Sequence, residues 1–384
     1  LLAFDSTLAK KTDEEITNFS IRLAFESTVD NFTNFSTLPK GEFFIEDLYA
    51  RLKHYPHTFH DFHADLIINE KDFSLKDFSG VIDETDFHFD GVLKNYPVWF
   101  ENVKKGNTKF EFNLVSHTMK LHDLLSYQGE NYLPADYRNE EIKELKLHGI
   151  ADLVYDDIFR SADIKLDKLE GKLKIHPLKL EQFKGRIHFE DEHLLLENFS
   201  GIMGRSDFTI NMVYYFGNNP TIRKRDNYFL LTSGFLDVDQ LTNYNEDIKV
   251  DHENAFNIFE VPFTEMKIKA EVIKMNYHKL WFRNFRTVLR MQENHYLYID
   301  TLNMRTAGGN ISMKGYFNGS NPKMIYLKSQ IEFSKVNLKK LMVKLDNFGQ
   351  DYIVGNNLRG ELSGIITGTL HVHPCMSSDQ SGQK

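Results

Sequence analysis

Polar and apolar residues alternate along much of the chain with a period of two. Between Leu66 and Leu93 the alternating apolar positions include Leu66 and Ile68, Phe73 and Leu75, then Phe87, Phe89 and Leu93, with Asn69, Ser74, Lys76 and His88 among them. The same beat returns at Ile187, Phe189, Leu194, Leu196, Phe208, Ile210 and Met212, interleaved with His188, Glu190, Thr209 and Asn211. Successive strand side chains point to opposite faces, so this spacing predicts strands with one apolar and one wetted face. The connections 69–72 and 190–193 are polar and of hairpin length, which predicts antiparallel meanders.

The two segments are copies of one unit. Leu48–Val92 slides onto Leu169–Val213, a shift of 121 residues, without a gap. Leu, Lys, Pro and Phe recur at Leu52/Leu173, Lys53/Lys174, Pro56/Pro177 and Phe62/Phe183. Further on, Phe78-Ser79-Gly80 matches Phe199-Ser200-Gly201, and Asp86-Phe87 matches Asp207-Phe208. A third copy is weaker: Phe285 takes the place of Phe183, Leu289 and Met291 follow as Ile187 and Phe189 do, and Ile311 and Met313 stand where Phe208 and Ile210 stand. A fourth begins at Gly368-Thr-Leu-His-Val-His-Pro374, which echoes Gly171-Lys-Leu-Lys-Ile-His-Pro177. Self-similarity at long period is the mark of a repeat architecture.

Each unit closes on a strand and a short helical turn, at 110–124, 228–241 and 325–341. Leu338, Leu341, Met342, Leu345 and Phe348 fall at helical spacing, a packing stripe that lids the sheet. The expected organisation is the end of a preceding unit at 1–40 and units at 41–130, 131–250 and 251–350. A fourth unit starts at 351–376, cut in mid-unit by a polar tail at 377–384. The fold class is mainly β: an elongated, repetitive antiparallel sheet with short capping helices. At about 25 cal/mol per Å² an apolar sheet face cannot be left in water. A second sheet, the sheet's own curling, helices or an equally apolar ligand must cover it.

Composition supports strands and removes several functions. The 384 residues are 41% hydrophobic and include 32 Phe and 17 Tyr against 2 Trp and 9 Pro, residues that suit a pleated, half-buried surface. A net charge of −9 comes without a basic stripe, so nucleic acid is not an expected partner. The densest basic run, Arg223-Lys224-Arg225, reads as a solvated turn. The one cysteine, Cys375, permits no internal disulfide. No apolar stretch has the length of a membrane-spanning helix, and the chain begins Leu1-Leu2-Ala3-Phe4.

Candidate chemistry is sparse. His54, His57, His60 and His63 recur every third residue, a spacing that throws alternate side chains to opposite faces of a strand and so predicts no metal site. Asp237-Val-Asp239 has the form of a metal–nucleotide pair but falls at the end of a closing strand, where a capping or surface role is expected. Gly201-Ile-Met-Gly204 and Gly308-Gly309 read as turn glycines before a strand, since a phosphate cradle needs a helix N-terminus. With no nucleophile elbow, zinc-protease motif or P-loop, the chain reads as a non-enzyme with no cofactor, no metal and no catalytic residues.

The unit from Phe183 to Ile210, with Phe-Ser-Gly at 199–201 and Asp-Phe at 207–208, resembles the repeat of the AsmA-like family of bacterial envelope proteins, which includes TamB-type architectures. Phe62–Val92 is similar, and Leu358-Arg-Gly-Glu-Leu-Ser-Gly364 resembles the start of another copy. The resemblance implies a sheet curling into an apolar groove, periplasmic localisation, and an inner-membrane anchor from an N-terminal helix outside this sequence. It implies lipid handling: binding or conducting phospholipid between inner and outer membranes, or assisting outer-membrane assembly. Partners would be phospholipid or another acyl-chain lipid and outer-membrane assembly proteins. The expected groove wall is Leu66, Ile68, Phe73, Leu75, Phe87 and Phe89 in unit one, and Ile187, Phe189, Leu194, Leu196, Phe208 and Ile210 in unit two. The alternative is a structural or assembly scaffold whose β core is closed.

Overall fold

A computed structural model describes residues 15–17, 20–28, 40–52, 55–100, 105–122, 126–127, 130–131, 139–156, 158–175, 177–242, 263–277, 280–321, 324–344 and 357–372. It is mainly β. Nineteen strands belong to one sheet that is not closed into a barrel, and two more form a separate short pair. By contact density the chain divides into two compact units, one of residues 1–191 with 201–204, the other of residues 192–200 with 205–384.

The first unit contains β1 (Glu15–Thr17), β2 (Ser20–Glu26), β3 (Lys40–Leu52), β4 (Tyr55–Ile68), β5 (Asp72–Ile82), β6 (Thr85–Lys94) and β7 (Lys105–Lys120). The short pair β8 (Ser126–Tyr127) and β9 (Glu130–Asn131) follows, then β10 (Glu141–Asp156), β11 (Ile158–Leu173) and β12 (Lys179–Glu190). Each neighbour from β2 to β7, then β10, β11 and β12, pairs antiparallel with the last. Strand β13 (His193–Met203) contributes residues to both units. The second unit holds β14 (Ser206–Tyr215), β15 (Tyr228–Asp237), β16 (Met266–Tyr277), β17 (Leu280–Gln292), β18 (Tyr296–Thr306), β19 (Gly309–Asn318), β20 (Ile325–Asn337) and β21 (Glu361–Val372).

One seam departs from the antiparallel expectation: β15 and β16 run parallel, Tyr228 opposite Lys267 and Asp237 opposite Asn276. The reason is topological. Two strands, β10 and β11, lie between β7 and β12, so the antiparallel order brings β12 back to the direction of β4. Only β16 lies between β15 and β17. A parallel pairing then restores the direction of the unit's first strand, at the cost of a long crossover over 238–265. Strand β21 pairs antiparallel with β20 as β10 does with β7, so it takes the place of β10 rather than that of β11.

The repeat is written into the backbone as well as the side chains. Asp61, Gln182 and Asn284 each have a left-handed conformation (φ 55°, 57° and 49°), and each immediately precedes Phe62, Phe183 or Phe285. All three lie at breaks in strand register. A non-glycine residue rarely adopts such a φ, so its recurrence at equivalent places identifies a bulge that belongs to the unit. The turn after the next strand is also left-handed in each copy, at Asp83, Gly204 and Ala307.

The residues shared by the first two copies hold these features together. The Asp86 carboxylate accepts hydrogen bonds from the backbone N–H groups of His117 and Thr118, at 2.9 and 2.7 Å. Asp207 accepts in the same way from Gly234 and Phe235, at 2.8 and 2.6 Å. One residue earlier, the Thr85 hydroxyl accepts from Lys120 N–H and the Ser206 hydroxyl from Asp237 N–H. Each pair fastens the closing strand and satisfies backbone donors that the ladder leaves open.

Gly201 is a correction to the reading of that glycine as a turn residue. It lies inside β13, and a Cβ there would come within 2.6 Å of the Phe183 ring. Gly80 meets Phe62 likewise at 2.9 Å. Both rings are buried, 5% and 7% exposed. Gly204 and Gly308 do occupy turns, with φ of 60° and 84°. The run Arg223-Lys224-Arg225 is also corrected: it lies in the helix Pro220–Asp226, capped by the Asn219 side chain, with Arg223 paired to Glu293.

Candidate functional site

The register places most of the predicted wall on one face. In the first unit Leu66 faces Leu75 and Ile68 faces Phe73 across β4 and β5. Phe87 stands opposite Gly80, and Phe89 opposite Phe78 on one side and Leu114 on the other. The row continues through Leu114–Leu147, Phe110–Ala151 and Ala151–Ile164 to Ile164–Ile187 and Ala162–Phe189. Strand β2 extends it at the other edge, where Ile21 faces Ile45 and Leu23 faces Phe43. Eight of the twelve predicted wall residues therefore share one continuous apolar face of nine strands.

In the second unit Leu194 and Leu196 share one face of β13 by the period of two, and Phe208 and Ile210 share one face of β14. Ile210 faces Leu231, and the apolar row runs on through Leu231–Ala270, Ile268–Leu289 and Leu289–Ile299. Beyond it stand Leu297–Phe317, Met313–Ile331 and Leu327–Leu370.

How deeply this face is buried decides what it can do. Of the twelve predicted residues only Ile68 is fully buried; the other eleven are half-buried. Fully buried residues occur within strands as well as at their ends, as at Phe62, Ala151, Ala162 and Val272. Ile68, Leu93 and Tyr96 pack with Phe43, Phe73 and Phe110 at one end of the first unit. At the other end the Phe62, Phe78 and Phe87 rings meet at 5.1–5.6 Å. In the second unit helix Leu338–Lys344 brings Leu341 onto Ala307, Ile311 and Val336. Leu345 and Phe348 of the predicted stripe lie outside the described residues. Along the outer strand β21, Ile366 and Leu370 are 56% and 62% exposed.

The opposite face is charged, and two of its arginines are held in bidentate or doubly bonded pairs. Arg186 donates from Nε to both Asp163 oxygens at 2.8 and 2.9 Å, and Arg290 binds Asp300 with two bonds of 2.8 Å. The Arg186 hydrogen bond, with its charge and that of His188, holds the Asp163 carboxyl below the usual carboxylate range against partial burial. Arg290 does the same for Asp300.

Two of the histidines meet at Asp83: His57 Nδ1 lies 2.5 Å from its carboxylate and His60 Nε2 3.2 Å from its backbone oxygen, while His60 Nδ1 lies 2.8 Å from Asp61 and His63 Nε2 3.3 Å from Asp77. His54 lies outside the described residues, and among these no group of three or more His, Cys, Asp and Glu is arranged for a metal ion. Asp237 caps the helix Val238–Leu241 by accepting from Gln240 N–H, and also accepts from Asn276. Arg205 reaches its second oxygen at 2.5 Å in ion-pair contact outside hydrogen-bond geometry. Cys375 lies outside the described residues. No described helix is long and apolar enough to cross a membrane. No family model, curated protein or solved structure matches the chain.

Proposed function

We propose that the apolar face binds acyl chains, and that this is a non-enzymatic protein of the bacterial envelope that carries phospholipid between inner and outer membranes or assists outer-membrane assembly. The observation that carries the reading is an apolar wall left partly uncovered: eleven of the twelve wall residues keep part of their surface free. Each methylene laid on such a row contributes about 0.8 kcal/mol, so one acyl chain is an adequate cover. The row has no polar anchor at fixed positions, which favours many lipids held loosely over one held tightly. The likeness of the repeat to AsmA-like proteins supports the same reading, with the chain working in the periplasm.

The test is native mass spectrometry with lipid extraction on the purified chain and on the double variant Phe87→Asp/Phe208→Asp. Phospholipid should accompany the parent in more than one equivalent and fall to background in the variant. Strand content by circular dichroism should persist, because neither ring is fully buried. A folded variant that keeps its full lipid load sinks the proposal, as does a well-folded parent that carries none. Unfolding of the variant would move the reading to the closed scaffold.

A further inference from the structure

The wet face of the second unit carries cations that the apolar face leaves unused. Register sets Tyr228, Lys267 and Arg290 in one row and Leu230, Lys269 and Val288 in the next. Lys267, Lys269 and Arg290 therefore project from the same side of the sheet. Helix Pro220–Asp226 brings Lys224 and Arg225 to the same place, and these five cations with Glu265 line a pocket of about 540 Å³. Two of the cations already have carboxylates, Arg225 with Asp226 and Arg290 with Asp300. Lys224, Lys267 and Lys269 form no ion pair among the described residues. Taking the two arginine pairs as neutral leaves three lysines against Glu265, a net charge of +2.

We infer that this pocket binds a phosphate-bearing anion. Three ammonium groups on flexible stems are compact point charges that suit phosphate, whose terminal group offers about two negative charges and three acceptor oxygens. The floor is already fixed for such a ligand. Asp300 holds Arg290 in a bidentate pair, and the guanidinium lies 5.0 Å from the centre of the Tyr298 ring. Arg290 therefore keeps its place when an anion enters, while the lysines move to meet it. The inference does not rest on lipid binding: Phe229, Met266 and Met291 of the apolar rows also line the pocket, but none of the twelve wall residues does. The phosphate could come from a soluble metabolite or from a lipid headgroup.

Calorimetric titration with pyrophosphate at low ionic strength, and flotation with phosphatidylglycerol or phosphatidylcholine vesicles, separate the sources. Saturable pyrophosphate binding that weakens by about tenfold in Lys267→Glu/Lys269→Glu, and not in Lys172→Glu, supports a soluble phosphorylated ligand. Flotation with phosphatidylglycerol alone that depends on the same lysines supports a headgroup. Lys224→Glu, on the helix rather than the strands, gives a second reading should the double variant misfold. Phe87→Asp/Phe208→Asp should leave pyrophosphate binding unchanged, which keeps this site distinct from the lipid wall. Absence of binding to both probes, or binding that is indifferent to the lysine substitutions, overturns the inference.

Discussion

Phe183 and Gly201 illustrate how one residue pair can set the shape of a strand crossing. A glycine inside a strand loses entropy on folding and offers nothing to pack, so an aromatic ring laid over it recovers apolar contact. At Gly201 the ring occupies the volume a methyl group would need. Gly201→Ala gains about 0.4–1 kcal/mol by restricting the unfolded chain, but overpacking against a buried ring costs about 1–3 kcal/mol. The steric term should win, for a net loss of about 1–2 kcal/mol in urea unfolding. Gly80→Ala, where the approach to Phe62 is less close, should cost less. Equal midpoints for all three proteins would show that the rings can shift aside. The identity of these glycines was legible in the sequence, since both copies carry Phe-Ser-Gly. Their placement was not, because a glycine before a short polar stretch reads equally well as a turn. The left-handed residues were less legible still: Asp61 and Asn284 are types that tolerate such a conformation, while Gln182 carries no such signal.

At the scale of elements, alternation is reliable where one face is greasy and the other wet. That is why β4 to β6 and β12 to β14 follow the predicted strands so closely. The β10–β11 hairpin is hard to read from the sequence, because lysines and aspartates crowd its wet side and blur the apolar beat of Leu145, Leu147, Ala151 and Leu153. The parallel seam had no signal at all, since direction depends on how many strands intervene and not on any residue. The wet face has its own energetics between β11 and β12. The Asp163 carboxyl is depressed chiefly by its hydrogen bond to Arg186. A depressed carboxyl contributes stability that is present above its ordinary pKa of about 3.9 and is lost as pH falls through the lower folded value. Urea midpoints should therefore drop on acidification below about pH 4, and Asp163→Asn should make that descent shallower. An unchanged slope in the variant would mean that other carboxylates govern acid unfolding.

For the molecule as a whole, the division of labour between faces matters more than any single residue. The wall residues predicted from the repeat share faces as expected, yet their partial exposure could not be read from the sequence. Alternation tells which side is apolar, and burial depends on what lies over it. The cationic pocket was also hidden, because Lys224, the Glu265–Lys267 segment and Arg290 come from three separate places along the chain. The run 223–225 looked like a turn until the helix brought it to β16.

The parallel seam between β15 and β16 has a consequence for how the second unit forms. The β16–β17 connection spans two residues, 278–279, and β17 to β20 follow as successive antiparallel neighbours. The β15–β16 seam must close a crossover over 238–265, and closing the longer loop costs more chain entropy before any contact rewards it. Contacts of high sequence separation form slowly. The strands from β16 onward should thus assemble first and accept β15 afterwards, making the seam a kinetic boundary within the unit. Pulsed hydrogen exchange during refolding should find the amides of the β17–β18 ladder protected before those joining β15 to β16. Simultaneous protection would show instead that both sides of the seam condense in one step.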